Sequence, residues 1–485
     1  KKVAGICDDI KERGDEALFE YVIKFDKFTL NESNIRVTKE EIDKAYASLD
    51  PSFIDIMKIV KLTSDSIAEI QSALLKRSPA QYTEYESTVN DILANIRENG
   101  DKALFEYTEK FDGYKLTEEN IRVTKAEIEE AYTKLDKEYI EVIKKAAENI
   151  REFHTKQLRN SWFETKPDGT MLGMKITAIE RLGVYVPGGK AAYPSSVLMN
   201  IVPAKVAGVD RIIMCTPPGK TGVIDPGTLV AADIAGADEI YRAGGAQAIG
   251  AMAFGTRSIP KVYKITGPGN IFVALAKKAV YGFVSIDSIA GPSEVMVLAD
   301  GSANPRYVAA DLLSQAEHDE LASAILVTTD EKLAEKVNDE IEGFLKTLSR
   351  SEIIRKSLDN YGYILLASDM DEAIDTVNTV ASEHLEILTE DPFAVMTKIR
   401  NAGAIFLGEY SSEPLGDYFA GPNHILPTNG TARFFSPVNV DDFIKKSSVI
   451  YYSKDALERD SKSIQLFANN EGLTAHANSI KVRFE

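Results

Sequence analysis

The chain is short of cysteine, of basic residues and of long apolar runs, and each shortage removes a class of protein. Only Cys7 and Cys215 occur in 485 residues. Two thiols this far apart in sequence build neither a disulfide framework nor a thiolate metal cage. Lys and Arg number 56 against 74 Asp and Glu, a formal charge of -18. Such a chain repels polyanions and carries no local basic patch, which excludes nucleic acid as a partner. The longest apolar stretches, such as 197–209, are broken by residues like Asn200, Pro203 and Lys205. None approaches the roughly 20 apolar residues that cross a bilayer. No membrane partner is expected, and with no charged-then-apolar leader at the start the expected location is cytoplasmic. What remains is ordinary for a globular protein: 44% hydrophobic and 27% charged residues, in a chain long enough for several domains.

One segment occurs twice. Residues 14–50 align without gaps to 100–136 at an offset of 86, with 24 identities in 37 positions. Both copies read as helical, since Ala17, Leu18, Tyr21 and Phe25 recur at helical spacing. The likeness fades after Ile56, where Met57-Lys-Ile-Val-Lys-Leu reads as a fresh start. A two-copy helical repeat packing as one unit is one reading. The favoured one makes 1–56 an appended partial copy and 57–485 a complete enzyme, because the first copy lacks everything the second leads into.

Beyond about 175 the texture changes to short β-branched runs alternating with helical periodicity. Strands are expected at 176–186, 211–215, 239–243, 262–266 and 294–298, with helices at 196–207, 227–234, 246–254 and 270–281. A second run follows: helix 305–315, strand 324–329, helix 331–348, strand 363–367, helix 371–381, and strands 385–388 and 404–407. From about 439 the chain turns polar and helical. The fold class is therefore α/β, two parallel-sheet units with helical N- and C-terminal segments.

Five histidines occur: His154, His318, His384, His424 and His476. The last four fall in the least regular, most punctuated segments. Gln315 and His318, three apart at the end of a helix, project from one face and can share a metal. Glu383-His384 opens a strand after a helix, where an α/β site often lies. Asp417 and His424 share a loop after a strand, and His476 follows Glu471 by five residues. Nitrogen and oxygen donors without thiolates suit Zn2+ or another divalent first-row metal. Each histidine alone has a structural explanation; four of them, three with acidic neighbours, give the metal reading equal standing. Gly-rich turns are the second signal, at 185–189, 244–247, 267–270 and 290–293. Glycine admits close backbone approach, and Asn270 is placed to cap a helix whose N-terminus attracts phosphate. No G-x-G-x-x-G fingerprint occurs, so spacing alone reveals no dinucleotide site.

At these residues the chain resembles the histidinol dehydrogenase family over essentially all of 57–485. The segments that carry the resemblance are YVPGG (185–189), GGAQAI (244–249), GPGN (267–270), AGPSEV (290–295), DLLSQAEH (311–318), EHL (383–385), GDYFAGPNHILPT (416–428) and EGLTAH (471–476). The resemblance implies two Rossmann-like domains, a homodimer and one Zn2+ per site, held by Gln315, His318, Asp417 and His476. It implies Glu383 and His384 as the acid–base pair. Ser293, His424 and Glu471 become substrate contacts, and Tyr185, Gln247 and Asn270 become contacts to NAD. The implied reaction oxidises L-histidinol to L-histidine through histidinal with two NAD, the last step of histidine biosynthesis. The domain plan that goes with it is the partial repeat at 1–56, a helical segment leading into the first α/β domain at 57–184, an inserted Rossmann-like domain at 185–299, the remainder of the first domain at 300–438 and a C-terminal tail at 439–485. Active sites shared between chains would follow if Glu471 and His476 reach a partner. Two rivals stay open: a zinc- and NAD-dependent dehydrogenase of another polar alcohol, and a non-catalytic metal-binding protein on the same fold. Glu471 and His424, as partners for an amine and an imidazole, argue against the first. Retention of Glu383 and His384 argues against the second. Cys215, in an expected strand, reads as core.

Overall fold

The computed structural model describes residues 13–26, 29–31, 34–36, 56–77, 83–188 and 193–485. Cys7, Gly189 and, in the first repeat copy, residues 27–28, 32–33 and 37–50 lie outside the described residues. The chain divides into two compact units, 1–55 and 56–485.

Within the first unit, the helix Asp15–Asp26 is the counterpart of the helix Asp101–Asp112 in the second, register for register. The likeness extends to side chains. Tyr21 stacks on Phe25 at 5.9 Å as Tyr107 stacks on Phe111 at 5.7 Å. The Asn34 side chain accepts from the Asn31 N–H at 2.7 Å, and the Asn120 side chain accepts from the Thr117 N–H at the same distance. Near-identical sequence yields near-identical local geometry, because i,i+4 ring pairs and Asx turns need only neighbouring residues.

Unit 56–485 contains two all-parallel sheets. The larger runs, edge to edge, Lys58–Lys61, Gly362–Leu366, Ser323–Thr328, Glu294–Ala299, His384–Leu388 and Ala404–Leu407. The smaller runs Glu239–Arg242, Arg211–Thr216, Arg181–Tyr185, Lys264–Thr266 and Ser285–Ile286. In each, the chain enters at a central strand, winds outward through two more, then crosses to the other side for the last two. This is doubly wound topology, with Lys58–Lys61 added at the far edge of the larger sheet. Strands Glu294–Ala299 and Ser323–Thr328 are buried along their whole length, as parallel strands covered on both faces are.

The expected strand at 176–186 is two strands in two sheets. Met171–Ala178 pairs antiparallel with Trp162–Thr165 and Ile444–Tyr451, whereas Arg181–Tyr185 joins the smaller parallel sheet. Periodicity reports a strand but not its partner, so a change of sheet within one extended run leaves no mark. The polar tail after 439 is likewise not all helix: Ile444–Tyr451 precedes the helices Lys454–Asn470 and Thr474–Lys481. The strand Arg181–Tyr185 spans the expected division at 184/185, and Glu294–Ala299 belongs to the larger sheet, so the sheets change over near 180 and 293. Among the described residues, no helix is long and apolar enough to cross a membrane.

Candidate active site

Helices covering a parallel sheet run back against the strands, so helix N-termini gather at the sheet's carboxyl edge and C-termini at its amino edge. The expected cofactor residues lie at the carboxyl edge of the smaller sheet. Tyr185 ends its central strand, Gln247 stands in the first turn of the helix Gly245–Phe254, and Asn270 caps the helix Ile271–Val280. The Tyr185 hydroxyl accepts from the Gly245 N–H at 3.1 Å. Asn270 Oδ1 accepts from the N–H groups of Phe272 and Val273 at 3.1 and 3.2 Å. The three line a cavity of about 950 Å3 with Gly188, Thr216 and Pro217. Gly267 sits at φ +121, and a Cβ there would fall 2.0 Å from the Tyr185 carbonyl oxygen, so only glycine lets these strand ends meet. A buried Lys277–Asp287 ion pair clamps that turn: Lys277 donates to the Gly267 carbonyl at 2.8 Å, and Asp287 accepts from the Gly267 N–H at 2.8 Å.

The remaining expected residues divide into two places. At the amino edge of the larger sheet, Glu383 and His384 open one central strand while Ser293 and Glu294 lead into its neighbour. Gln315, in the last turn of the helix Pro305–Ala316, and His318, just beyond it, are in contact, with Gln315 Nε2 3.0 Å from His318 Nδ1. His384 Nδ1 donates to the Glu294 carbonyl at 3.0 Å, which leaves Nε2 as the free ring nitrogen, 3.6 Å from Asp417 Oδ1. Glu383 accepts from the Glu294 N–H at 2.9 Å, and the Ser293 carbonyl accepts from the Ser323 N–H at 3.0 Å. Arg77 braces this edge from behind through a buried ion pair to Glu294 at 2.6 Å. His424 donates from Nδ1 to the Asp417 carbonyl at 3.0 Å, and its Nε2 lies 3.4 Å from Ser196 Oγ. His384, Asp417 and His424 share a cavity of about 760 Å3. Glu471 and His476 are elsewhere: both are exposed, and they line a shallow groove of the two C-terminal helices with Phe467.

Burial and charge set the protonation of this edge. Burial pushes the Glu383 carboxyl up to about 8. Burial opposes the charged form of His384, but the Glu383 and Asp417 carboxylates outweigh it and raise the imidazole to about 10. Asp417 is lowered, its burial overcome by the nearby His384 ring and by the other imidazoles. His318 and His424 are both lowered by burial. Asp417 therefore concentrates negative charge among three imidazoles, an arrangement that suits a cation.

The donor set fits a divalent metal. Gln315 Oε1 and His384 Nε2 are enclosed with no hydrogen-bond partner, a costly state for buried polar atoms that a ligand relieves. His384, Glu413 and Asp417 offer atoms all within 4.8 Å of one another. Among the described residues no thiolate is near, and Cys215 is buried in a strand of the other sheet. Sequence reasoning missed Glu413. Its one signal was the i,i+4 spacing to Asp417 on the short helix Glu413–Tyr418. His154 donates from Nδ1 to the Ile150 carbonyl one turn back in the helix Lys137–Thr155 at 2.8 Å, and its Nε2, enclosed without a partner, borders the same cavity as His384.

Comparison with known proteins identifies the family. A family model described as histidinol dehydrogenase matches residues 1–75 and 75–484. The chain is 56% identical over 431 residues to histidinol dehydrogenase of Clostridium acetobutylicum, covering 89% of this chain and all of that one. It is 58% identical over 419 residues to histidinol dehydrogenase of Bacillus subtilis, covering 86% of this chain and 98% of the relative. A solved histidinol dehydrogenase from Elizabethkingia anophelis superposes with a TM-score of 0.84 at 39% identity, over 89% of this chain and 98% of that one. The two parallel sheets, the cluster at the amino edge and these matches together place the chain in the histidinol dehydrogenase family.

Proposed function

We propose that the protein oxidises L-histidinol to L-histidine through histidinal, using Zn2+ and two NAD, as the last step of histidine biosynthesis. The observation that carries this reading is the unpartnered His384 Nε2 beside Asp417, at an edge where Gln315 also leaves an oxygen unpartnered. Gln315, His318 and Asp417 would hold the metal, which supplies a template and an electrostatic anchor for the substrate's amine and imidazole. Tyr185, Gln247 and Asn270 would hold NAD, which would supply the acceptor for one hydride in each step. A dication held beside His384 would oppose the imidazolium directly and offset the pull of the Glu383 and Asp417 carboxylates, so that His384 Nε2 would be available to accept a proton. It then takes the alcohol proton as the C–H hydride departs, leaving the aldehyde. Glu383, within 3.8 Å of the same ring, draws a proton from the water that adds to the aldehyde. The hydrate then loses the second hydride and a proton to give the carboxylate. Ser293 and His424 hold the substrate's polar groups, as specific recognition of a polar ligand requires.

In this reading the enzyme is a cytoplasmic homodimer whose Glu471 and His476 complete the partner's site. In support, both are exposed in their own chain, on helices that also expose Leu466 and Phe467 by 65% and 70%. Exposed apolar residues of this size are what a docking segment carries. The deciding experiment follows NADH formation from histidinol, with two NADH expected per histidinol. Chelation should abolish the rate and Zn2+ should restore it. Turnover by the metal-free protein, or one NADH per substrate, would overturn the proposal.

A further inference from the structure

We propose that Asp112 binds the hydroxyl pair of the adenosine ribose and thereby sets a preference for NAD over its 2′-phosphorylated form. The inference rests on the reading of the 950 Å3 cavity as the NAD site. Asp112 is the last residue of the helix Asp101–Asp112 and lines that cavity with Tyr185, Gln247 and Asn270. Its Oδ2 is enclosed with no hydrogen-bond partner, and no ion pair reaches it among the described residues. Burial pushes its carboxyl up to about 6, and the partial negative charge of a helix C-terminus disfavours an anion there as well. A buried acceptor without donors is retained where a ligand brings the donors.

The missing donors have a defined chemistry. A ribose cis-diol offers two O–H groups to one carboxylate, the contact by which dinucleotide sites of this topology recognise the 2′-hydroxyl. Phe111, the preceding residue, and Val223 add apolar wall for a base; both are more than half exposed without one. None of the residues around His384 borders this cavity, so it suits the half of the dinucleotide away from hydride transfer. Lys220 and Asp225 also line it. Lys220, whose side chain lies beside Gly113, is a cation for the pyrophosphate; among the described residues it makes no ion pair with Asp112, so a 2′-phosphate would meet the carboxylate.

The test is direct binding to zinc-loaded, full-length protein without histidinol, by calorimetry, for NAD, NADP, AMP and nicotinamide mononucleotide. Asp112→Asn should weaken NAD and AMP about tenfold, a change of about 1.4 kcal/mol. It should leave nicotinamide mononucleotide unchanged and narrow the NAD-to-NADP affinity ratio at least tenfold. Melting temperature should hold or rise, because an unpaired buried charge is removed. Asp112→Ser should behave alike. Unchanged NAD and AMP affinities would overturn the proposal, as would weakening of nicotinamide mononucleotide instead of AMP. A lowered melting temperature with parallel loss of every ligand would assign Asp112 to the fold and overturn it too. Gln247→Ala and Asn270→Ala separate the underlying reading. If both bind NAD like the parent protein, the cavity is not the NAD site; if both are weakened while Asp112→Asn is not, only Asp112 fails.

Discussion

The smaller sheet presents its cavity at the carboxyl edge, where the N-termini of the helices Gly245–Phe254 and Ile271–Val280 meet it, whereas the His384 cluster sits at the amino edge of the larger sheet, beside the C-terminus of the helix Pro305–Ala316. Both sheets wind in the same order, and both sites lie by the strand pair where the winding reverses. The usual rule for such sheets puts ligands at the carboxyl edge. One site obeys it and the other inverts it, and the polarity of helix ends accounts for the difference. N-termini carry partial positive charge and suit a pyrophosphate; C-termini carry partial negative charge and suit a cation. Each helix end contributes about 0.3–1 kcal/mol, enough to bias a site but not to create one. The side chains decide: Asp417 with three imidazoles at one edge, backbone N–H groups and amides at the other.

The largest effect should come from breaking the amino edge. His318→Ala removes one donor beside the unpartnered Gln315 oxygen. Zinc affinity should fall at least about 100-fold, beyond the loss seen for outer partners of metal ligands, and turnover should be lost. NAD affinity, governed by the opposite edge, should stay within about twofold. Metal analysis with NAD titration checks both, and full zinc occupancy with activity in this variant would remove His318 from the ligand set.

The carboxyl edge should break more gently and in the opposite sense. Asn270 caps its helix through Oδ1, and aspartate caps equally well while adding a favourable charge at a helix N-terminus. Asn270→Asp should therefore keep or raise the melting temperature yet weaken NAD about tenfold, since it sets an anion where the pyrophosphate belongs. Zinc content should not change. Unaltered NAD affinity would show that the cofactor does not use this helix start.

Much of this was legible in the sequence, and the exceptions share a cause. The helix Pro305–Ala316 and the strands after it announce themselves by periodicity and by caps such as Asn304 and Asp330. Gln315 and His318 could be paired from i,i+3 spacing alone. Which edge of which sheet they face could not be, because that depends on strand order, which is decided by distant pairings such as Val295 with His384, 89 residues apart. The antiparallel pairing of Met171–Ala178 with Ile444–Tyr451 was hidden for the same reason, and the Lys445-Lys446-Ser447-Ser448 run in that strand also lacks apolar alternation. Glu413 and Asp112 escaped notice because an isolated acidic residue is the commonest surface feature. Only burial without a partner, or with cluster neighbours, marks them out.

The smallest effect should follow removal of the first unit. Both repeat copies make the same helix and the same ring stack, and the second belongs to the core of the unit that bears both sites. There Ile96, Ala103 and Leu104 are buried in one core with Tyr185 and Ile213. Every residue assigned to zinc, substrate or NAD, and every residue of the four apolar cores except Ile56, lies at 57 or beyond. A chain beginning at Met57 should thus keep both edges intact, with zinc content, NAD affinity and turnover within about twofold of the full chain. Its melting temperature should move by no more than about 2 °C, the scale of peripheral changes. One local cost needs a control. Met57 is fully buried, its N–H donating to the Asn338 side chain at 3.0 Å and its carbonyl accepting from the same amide at 3.2 Å. Starting there turns that N–H into an ammonium, which still donates but carries charge into a buried place. A second chain beginning at Asp55 keeps the amide. If it is active and the shorter one is not, the buried terminus is at fault; if both are inactive or insoluble, the first copy is an integral part of the fold.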